Sequence, residues 1–459
     1  MPTDVLPDRP VAPETAGPLS PLQPGRTRAW LWLAAALLIA LVAQAVIVSQ
    51  SQEVSPDGVA FIQIARALKT RPLDIMRNHA QHPGFPALIL AAHVLASPVA
   101  GEADASSWLW SARVVSSLFG LGVIVLVWLL ARRAFKSGTV AGVAVFGVAV
   151  IGLFRRSAAD VLSDTPHLFF YLLAALCAVE GLKRPRWFWF VGVGLASGVA
   201  FWIRPEGLSV AMMTAAVLPV WAWRRRDFAM RAALTGAATT LLVAGAVMLP
   251  YVLITGKFSS KITYKERFIE QARTPVVSSA QLADAGGPAV ADVLAIDEHE
   301  AAHERLGIRW FLRALREVWR KTAQGVRYVL MVPLFIGLFV PSRERSAVPS
   351  RVVAASLVGF HACLLLWLYY AGGYMSTRHV MPIVALMAPW VALGAILMAR
   401  GAARMMGRGR ASRQQRLEKV FIAILLITLA ACVLPRTLKP IEGLRVDDAA
   451  LEGAPAVGP

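Results

Sequence analysis

Charged residues are scarce in this chain of 459 residues: they make up 16% of it, whereas 57% of the residues are hydrophobic and the mean hydropathy is +0.57. A water-soluble globular domain has about a quarter of its residues charged, so this composition excludes a soluble globule. Several apolar runs reach the roughly 20 residues that a helix needs to cross the hydrocarbon layer. We therefore expect an all-α polytopic membrane protein.

Cysteine is nearly absent, and no internal repeat is visible. Cys177, Cys363 and Cys432 all lie inside apolar runs, which favours small buried hydrophobic side chains over a disulfide or a cysteine metal site. The lack of a repeat disfavours transporter folds that are built from duplicated halves.

Acidic residues are outnumbered by basic ones, 28 to 47, which gives a formal net charge of +19. In a soluble protein this excess would suggest a nucleic-acid partner, but here Arg and Lys gather in every second connection between apolar runs. The positive-inside rule places those connections, and the N-terminus, in the cytoplasm. The charge therefore predicts an orientation and an affinity for anionic membrane lipids, with no nucleic-acid partner. The basic connections contain Arg132, Arg133 and Lys136; Lys183, Arg184 and Arg186; Arg224, Arg225, Arg226 and Arg231; Arg343, Arg345 and Arg351; and the cations of 400–419.

The apolar runs divide the chain into a transmembrane domain with two flanking tails. We expect a disordered, Pro-rich cytoplasmic tail over 1–27, a transmembrane domain over 28–435, and a disordered outer tail over 436–459. The first run is too long for a signal-peptide core and should remain as an anchor. About eleven spans are expected, near 29–50, 108–131, 139–154, 164–182, 187–203, 205–223, 231–254, 325–340, 352–371, 379–399 and 418–435.

Two long connections lie on the outer side. The first, 51–107, should hold two interfacial helices, roughly 57–70 and 84–98, because counting the second as a span would invert every later loop. The second connection, 255–327, ends in an amphipathic helix from Ile308, which should lie in the headgroup region. Only Trp310 departs from its pattern. This helix is interpreted either as a structural element at the membrane surface or as the cationic edge of a binding site for an anionic lipid.

Several candidate reactive residues fall on the outer side of these spans. Asp57 follows the first span in a Pro-Asp-Gly turn, a position that also suits a helix-capping aspartate. Two acids precede the fourth span, a hairpin tip carries Arg-Pro-Glu-Gly, and an Arg-His pair enters the tenth span. Each has an ordinary structural explanation as a dipole partner, a helix start or a snorkelling cation. These residues are Asp160, Asp164, Arg204, Glu206, Arg378 and His379. Asp160 and Asp164, four residues apart, could share one side of a helix.

The order of these pieces resembles a known family. Asp57 just past the first span, a His82-Pro83 pair about 25 residues on, and Arg113 entering the next span are similar to the GT-C glycosyltransferases. Within them the chain is most similar, over roughly 30–400, to the protein O-mannosyltransferase and aminoarabinose transferase group. Later similar pieces are Ser163-Asp164, Ala200–Gly207 and Ser376–Pro382.

The resemblance implies an activity and roles for individual residues. The group takes a sugar from a polyprenyl phosphate, so the implied partners are a lipid-linked sugar donor, membrane lipids and an acceptor that is a lipid, a glycan or a protein. Asp57 would be the catalytic base and Asp164 a second acid in the same cavity. The implied substrate-binding residues are His82, Arg113, Arg204, Glu206, Arg378 and His379, with His82, Arg113 and Arg378 at the lipid phosphate. No cofactor is certain, and a divalent metal is possible.

Three positions depart from the family pattern: Gly58 stands where some relatives have a second acid, Gly84 replaces a proline, and His379 replaces a tyrosine. These departures concern the donor sugar more than the fold. The chemistry itself needs little: a base deprotonates the acceptor hydroxyl, and cations stabilise the charge that develops on the leaving phosphate. One carboxylate and a few Arg or His residues suffice.

A second motif indicates another enzyme class. His299-Glu300-Ala301-Ala302-His303 matches the H-E-x-x-H zinc pattern of metalloproteases. It lies in a polar, acidic loop, and no convincing third ligand follows it. A structural metal or a chance match in a solvated helix is favoured over a membrane zinc protease. A polytopic transporter is the third alternative, disfavoured because few charges lie at mid-span.

The orientation predicts which loops an impermeant thiol reagent reaches. Single cysteines introduced near residue 75 and near residue 285 should react from outside intact cells, whereas those near 227 and 408 should react only after the membrane is opened. Labelling of both pairs from the same side would contradict the orientation.

Overall fold

The computed structural model describes residues 26–79, 81–100, 104–225, 228–258, 308–339, 348–372, 375–407, 411–447 and 451. The zinc-type motif at 299–303, nearly all of the expected tail 1–27 and most of the second outer loop lie outside these residues. Within them the chain is almost entirely helical, which confirms the all-α polytopic membrane fold. The helices are α1 Arg26–Gln50, α2 Pro56–Thr70, α3 Pro72–Asn78, α4 Gly84–Ala100, α5 Ala105–Phe135, α6 Gly138–Val150, α7 Gly152–Ala159, α8 Asp164–Lys183, α9 Trp187–Ile203, α10 Ser209–Arg224, α11 Met230–Thr255, α12 Ile308–Gly325, α13 Met331–Phe339, α14 Val348–Gly372, α15 Met381–Met406 and α16 Ala411–Thr437.

The expected count of about eleven spans is not confirmed. Among the described residues, eight helices are long and apolar enough to cross a membrane, and α6 with α7, bent by 55°, could form a ninth. The apolar helix α9 has only 17 residues. The segment 325–340, expected as one span, contains only the nine-residue α13. Arg327 and Tyr328 adopt left-handed backbone conformations, with φ of 59° and 42°, and these end α12 before α13 begins.

The first long connection contains the two expected helices, α2 and α4, with the short α3 between them. The amphipathic helix is also present as α12: its apolar side chains Leu312, Leu315 and Trp319 are exposed, as expected of a helix at a lipid boundary. Trp310, which interrupts the apolar pattern, donates its indole N–H to the carbonyl of Tyr370 at 3.1 Å. Trp310 thus connects α12 to α14.

The charged residues separate to the two ends of the helix bundle. At one end, the basic end, Arg133 pairs with Glu180, and Arg400 pairs with Glu418 at 2.9 Å. At the same end the Arg351 guanidinium lies 5.1 Å from the Phe135 ring. These cations belong to the short connections that the sequence groups together. The acids of the other connections meet at the opposite end, which we call the carboxylate end.

Glycines allow the helices to approach closely. A Cβ placed on Gly394 of α15 would lie 1.7 Å from the carbonyl oxygen of Pro333, and one on Gly337 of α13 would lie 2.0 Å from that of Trp390. Because lipid is as apolar as a helix surface, close van der Waals contact is a principal source of helix association in membranes. The short α13 is thus held by backbone contact with α15.

The chain returns across the carboxylate end after α16. Strand β2, Leu444–Arg445, pairs antiparallel with β1, Glu53–Val54, and Ile441 is buried. Residues 438–447 are thus ordered, although they belong to the tail expected to be disordered over 436–459, and the rest of that tail lies outside the described residues except for residue 451. Strands of two residues carry no alternating pattern that a sequence could show. The close approach depends on Gly443, where a Cβ would lie 2.0 Å from the carbonyl oxygen of Val54.

The glycine contact between α13 and α15 predicts a large loss of stability on substitution. Gly394→Ala should lower stability by about 1–3 kcal/mol or more, because the added methyl group overpacks a backbone contact. Gly359→Ala is the matched control, since nothing lies within 4 Å of the added Cβ. Apparent melting temperatures of the purified proteins in detergent measure both. Equal melting temperatures for the two variants would contradict this packing.

Candidate functional site

Asp57 lies in the first turn of α2, at the carboxylate end. The side chain of Ser55 caps the helix by accepting the N–H of Gly58 at 3.3 Å, and Pro56 occupies the first helical position. This local sequence starts a helix two residues after β1. The Asp57 side chain is 49% exposed, so it is accessible as well as fixed in place by its helix.

Asp160 and Asp164 do not share a helix side, although their spacing allows it. Helix α7 ends at Ala159 and α8 begins at Asp164, with a turn between them. Asp160 accepts the backbone N–H groups of Ser55 at 3.1 Å and Val161 at 2.8 Å. Burial raises the pKa of Asp160, while these hydrogen bonds lower it. Asp160 therefore anchors the start of α2, and Asp164 faces elsewhere.

Arg204 and Glu206 lie at the tip between α9 and α10. The tip is tight: a Cβ on Gly207 would lie 2.4 Å from the carbonyl carbon of Ala200. Arg204 pairs directly with Asp164; the Asp164 side chain is buried, at 8% exposed, and the Arg204 side chain is mostly buried, at 12%. Its Nε also lies 3.8 Å from a carboxylate oxygen of Glu206. A buried guanidinium is thus held between two carboxylates.

Arg378 and His379 lie in the 3-10 helix Thr377–Val380, just before α15. Ser376 and His379 form a reciprocal cap: the Ser376 backbone N–H donates to Nδ1 of His379 at 3.1 Å, and the Ser376 hydroxyl accepts the N–H of Arg378 at 3.4 Å. The Arg378 guanidinium donates to Oδ2 of Asp57 at 3.0 Å. It also lies 3.9 Å from Oδ2 of Asp164.

These contacts form one series in which the sign of the charge alternates: Asp57, Arg378, Asp164, Arg204 and Glu206. We call this series the charge relay; the name refers to the alternating ion pairs and not to proton transfer. It joins four separate segments of the chain. A buried charge is tolerated when an opposite charge faces it with good geometry. The relay therefore keeps several ionised groups at the end of an apolar bundle.

Two residues of the expected set make their contacts elsewhere. Arg113 is buried and donates to the carbonyl oxygens of Ser51 at 2.8 Å and Glu53 at 3.1 Å. His82 is buried and stacks on Tyr251, with ring centroids 4.8 Å apart. Arg113 thus supports the backbone of Ser51 and Glu53, whereas His82 packs against aromatic rings.

A cavity of about 830 Å³ adjoins the relay. Asp160, Thr377 and Arg378 line it next to the relay, and three further arginines, Arg156, Arg327 and Arg436, also line it. Its remaining wall is largely apolar and includes Leu330, Leu425, Leu429 and Val433. Burial and the neighbouring Arg436 both lower the pKa of Arg327, as expected for two like charges held close together.

Three arginines of this cavity, Arg156, Arg327 and Arg436, are functional candidates that the sequence did not identify. Arg156 belongs to a basic pair on the outer side of the third span, where the positive-inside rule expects few cations, and that exception was an available signal. Arg327 and Arg436 come from distant segments, and no motif connects them.

Among the described residues, no three His, Cys, Asp or Glu side chains are placed to hold one metal ion. Asp57 and Asp164 contact guanidinium groups instead. The two histidines of the zinc-type motif lie outside the described residues.

Comparison with known proteins assigns the fold. Residues 105–251 match the family model of dolichyl-phosphate-mannose-protein mannosyltransferases. Among solved structures, ArnT from Cupriavidus metallidurans bound to undecaprenyl phosphate is 14% identical, with a TM-score of 0.52, over 95% of this chain and 77% of that one. The Archaeoglobus fulgidus oligosaccharyltransferase, in complex with Zn and sulfate, is 15% identical, with a TM-score of 0.55, over 90% of this chain and 53% of that one. A search of curated proteins gave no match.

These likenesses confirm the resemblance to the GT-C glycosyltransferases that the sequence indicated. The chain has the fold of a multi-pass GT-C membrane protein.

The buried pair in the relay predicts a strong dependence on both partners. Arg204→Met should destabilise the protein by about 3–5 kcal/mol, because Asp164 would then remain buried without its main partner. Combining Arg204→Met with Asp164→Asn should restore part of the loss. Apparent melting temperatures of the wild type, both single variants and the double variant measure the coupling. Purely additive effects would contradict a direct buried pair.

Proposed function

We propose that this protein is a membrane glycosyltransferase that moves a sugar from a polyprenyl-phosphate donor to a hydroxyl acceptor, with inversion at the anomeric carbon, at the outer face of the membrane. One observation carries the proposal: Arg378 lines the large cavity and also contacts Asp57. A cation at the phosphate of a lipid donor and a base at the acceptor would need that arrangement.

The lining of the cavity is complementary to a lipid phosphate. Its apolar wall, with Leu425, Leu429 and Val433 from α16, suits an isoprenoid chain, and Arg327 and Arg436 suit a phosphate. Two neighbouring cations repel each other, and an anion between them would relieve that repulsion. A protein of the same fold, ArnT, binds undecaprenyl phosphate, which supports the same ligand class here.

The reaction then follows from the positions of the charged groups. Asp57 takes the proton of the acceptor hydroxyl as that oxygen attacks the anomeric carbon. The bond from that carbon to the phosphate oxygen breaks, and its electron pair remains on the phosphate. Arg378 stabilises the charge that develops there. Because the hydroxyl attacks opposite the leaving phosphate in a single displacement, the anomeric configuration inverts.

The remaining relay residues hold Arg378 in place. Asp164 lies 3.9 Å from Arg378 and is itself fixed by Arg204, which also faces Glu206. His379 fixes the backbone beside Arg378 through the Ser376 cap. These are positioning residues in this proposal.

The resemblance implies that His82 and Arg113 meet the lipid phosphate. Their side chains contact Tyr251 and the backbone carbonyls of Ser51 and Glu53. We therefore assign the phosphate to Arg378, Arg327 and Arg436, and we assign His82 and Arg113 to the support of the loop that carries Asp57.

The proposal predicts that Asp57→Asn abolishes sugar transfer but leaves donor binding nearly intact, because the amide keeps the size of the side chain and cannot accept the proton. The assay uses a panel of undecaprenyl-phosphate sugars labelled with tritium in the sugar, with cell membranes as the acceptor source. Thermal shift with undecaprenyl phosphate measures donor binding. Asp74→Asn is the matched control: it lies in the same loop, and its carboxylate accepts a side-chain N–H of the nearby Asn78 at 2.7 Å.

Further variants in the same assay separate the alternatives. Arg378→Ala and Arg436→Ala should weaken the binding of undecaprenyl phosphate, because each removes a cation from the cavity. His299→Ala and His303→Ala should retain transfer. Substantial turnover in Asp57→Asn would move the base to Asp164 or Asp160. Inactive His variants together with a fully active Arg378→Ala would overturn the glycosyltransferase proposal in favour of a metal-dependent enzyme.

A further inference from the structure

Residues 438–447, which we call the C-terminal strap, are fastened to the loop that carries Asp57. The backbone N–H of Ile441 donates to the Ser51 hydroxyl at 2.8 Å, and that of Gly443 donates to the Glu53 carboxylate at 2.7 Å. Strand β2 of the strap pairs with β1. The strap thus contacts Ser51, Glu53 and Val54, which directly precede the cap of α2.

The other end of the strap is fixed as well. Thr437, the last residue of α16, donates its hydroxyl to the carbonyl of Val150 at 3.0 Å. The Arg156 guanidinium donates to the carbonyl oxygens of Lys439 at 2.7 Å and Pro440 at 3.3 Å. The bent pair α6 and α7 therefore holds the start of the strap.

The backbone that leads into α2 is held from three sides. The strap pairs with β1, Arg113 donates to the carbonyl oxygens of Ser51 and Glu53, and Asp160 accepts the N–H of Ser55. Asp57 follows Ser55 by two residues, and its carboxylate accepts a hydrogen bond from the guanidinium of Arg378, which is distant in the sequence. Its position relative to Arg378 therefore depends on where β1 lies.

The strap also forms part of the cavity that adjoins the charge relay, since Ile441 and Glu442 line it together with Arg156. The strap thus contacts both the cavity and the backbone that leads to Asp57. A shift of the strap would change the distance between the cavity and Asp57.

We propose that the C-terminal strap is a positioning element for the active site, and that Glu53 and Gly443 are the residues through which it sets the place of Asp57. This proposal rests on the proposed function, in which Asp57 is the base. A displacement of about 1 Å from the productive geometry can cost on the order of 100-fold in rate, so a strap that fixes β1 acts on catalysis as well as on stability.

Glu53 offers a test with a conservative rescue. Glu53→Ala removes the acceptor for the Gly443 N–H, whereas Glu53→Gln retains an amide oxygen there. With whichever labelled undecaprenyl-phosphate sugar the wild type transfers, Glu53→Ala should lower kcat at least about tenfold and change the donor KM by less than about threefold, since donor contacts remain. Glu53→Gln should recover most of kcat. Equal kcat in the wild type and in Glu53→Ala would overturn the proposal.

A second experiment reports on the strap without any assay of activity. In a background with Cys177, Cys363 and Cys432 replaced by Ala, Val54→Cys places a thiol at a position that is 0% exposed. Gly443→Val should displace the strap, because its Cβ would lie 2.0 Å from the carbonyl oxygen of Val54. The thiol should then react with maleimide at least about ten times faster. Gly359→Val, where nothing lies within 4 Å of the added Cβ, should leave the thiol protected.

The outcomes separate this proposal from the proposed function. If Gly443→Val makes the Val54→Cys thiol reactive and also lowers kcat, the strap acts as a positioning element. If the thiol becomes reactive and kcat is unchanged, the strap contributes only to stability, and the inference is overturned. A thiol that stays protected in Gly443→Val contradicts the strap contacts themselves. Full transfer by Asp57→Asn would instead defeat the proposed function, while the labelling result would stand.

Discussion

Asp164 and Arg204 face each other at the end of an apolar helix bundle, with side chains that are 8% and 12% exposed. Two charges that are removed from water this far depend on each other, because removal of either leaves the other without compensation. Their pairing lets a second guanidinium, that of Arg378, lie 3.9 Å from the same carboxylate. Arg378 in turn reaches the half-exposed Asp57. The arrangement of the site thus begins from one buried ion pair.

The relay and the cavity share only part of their residues, and this division has a chemical meaning. Arg378 belongs to both, whereas Arg327 and Arg436 line only the cavity, and Asp57 and Asp164 belong only to the relay. A lipid with an anionic head would meet a predominantly cationic surface, and a neutral hydroxyl would meet carboxylates. In the proposed reaction the two substrates therefore approach Arg378 from different sides, and the cavity, with its largely apolar wall, suits the one with the long apolar chain.

The sequence predicted the class of fold and the members of the relay, but not how they connect. Hydropathy and charge parity are local signals, so they located most of the helices and grouped Asp57, Asp164, Arg204 and Arg378 at one end. The contact between Asp57 and Arg378 spans 321 residues of sequence, and only the folded chain shows it. The other parts of the site have no local signal. The cavity wall combines α7, the junction of α12 with α13, and α16, and the strap pairs strands of two residues, so no periodic pattern marked either of them.

Two of the carboxylates that could act as the base in the proposed reaction, Asp164 and Asp57, differ in their contacts and exposure. Asp164 is engaged through both oxygens, Oδ1 by Arg204 and Oδ2 by Arg378, and it is buried. Asp57 meets one guanidinium through Oδ2 and is 49% exposed. An acceptor hydroxyl must come within about 3 Å of the oxygen that takes its proton, which is possible at Asp57 without breaking a buried ion pair. In the proposed reaction Asp164 then fixes Arg378, while Asp57, whose preceding backbone the strap contacts, takes the proton.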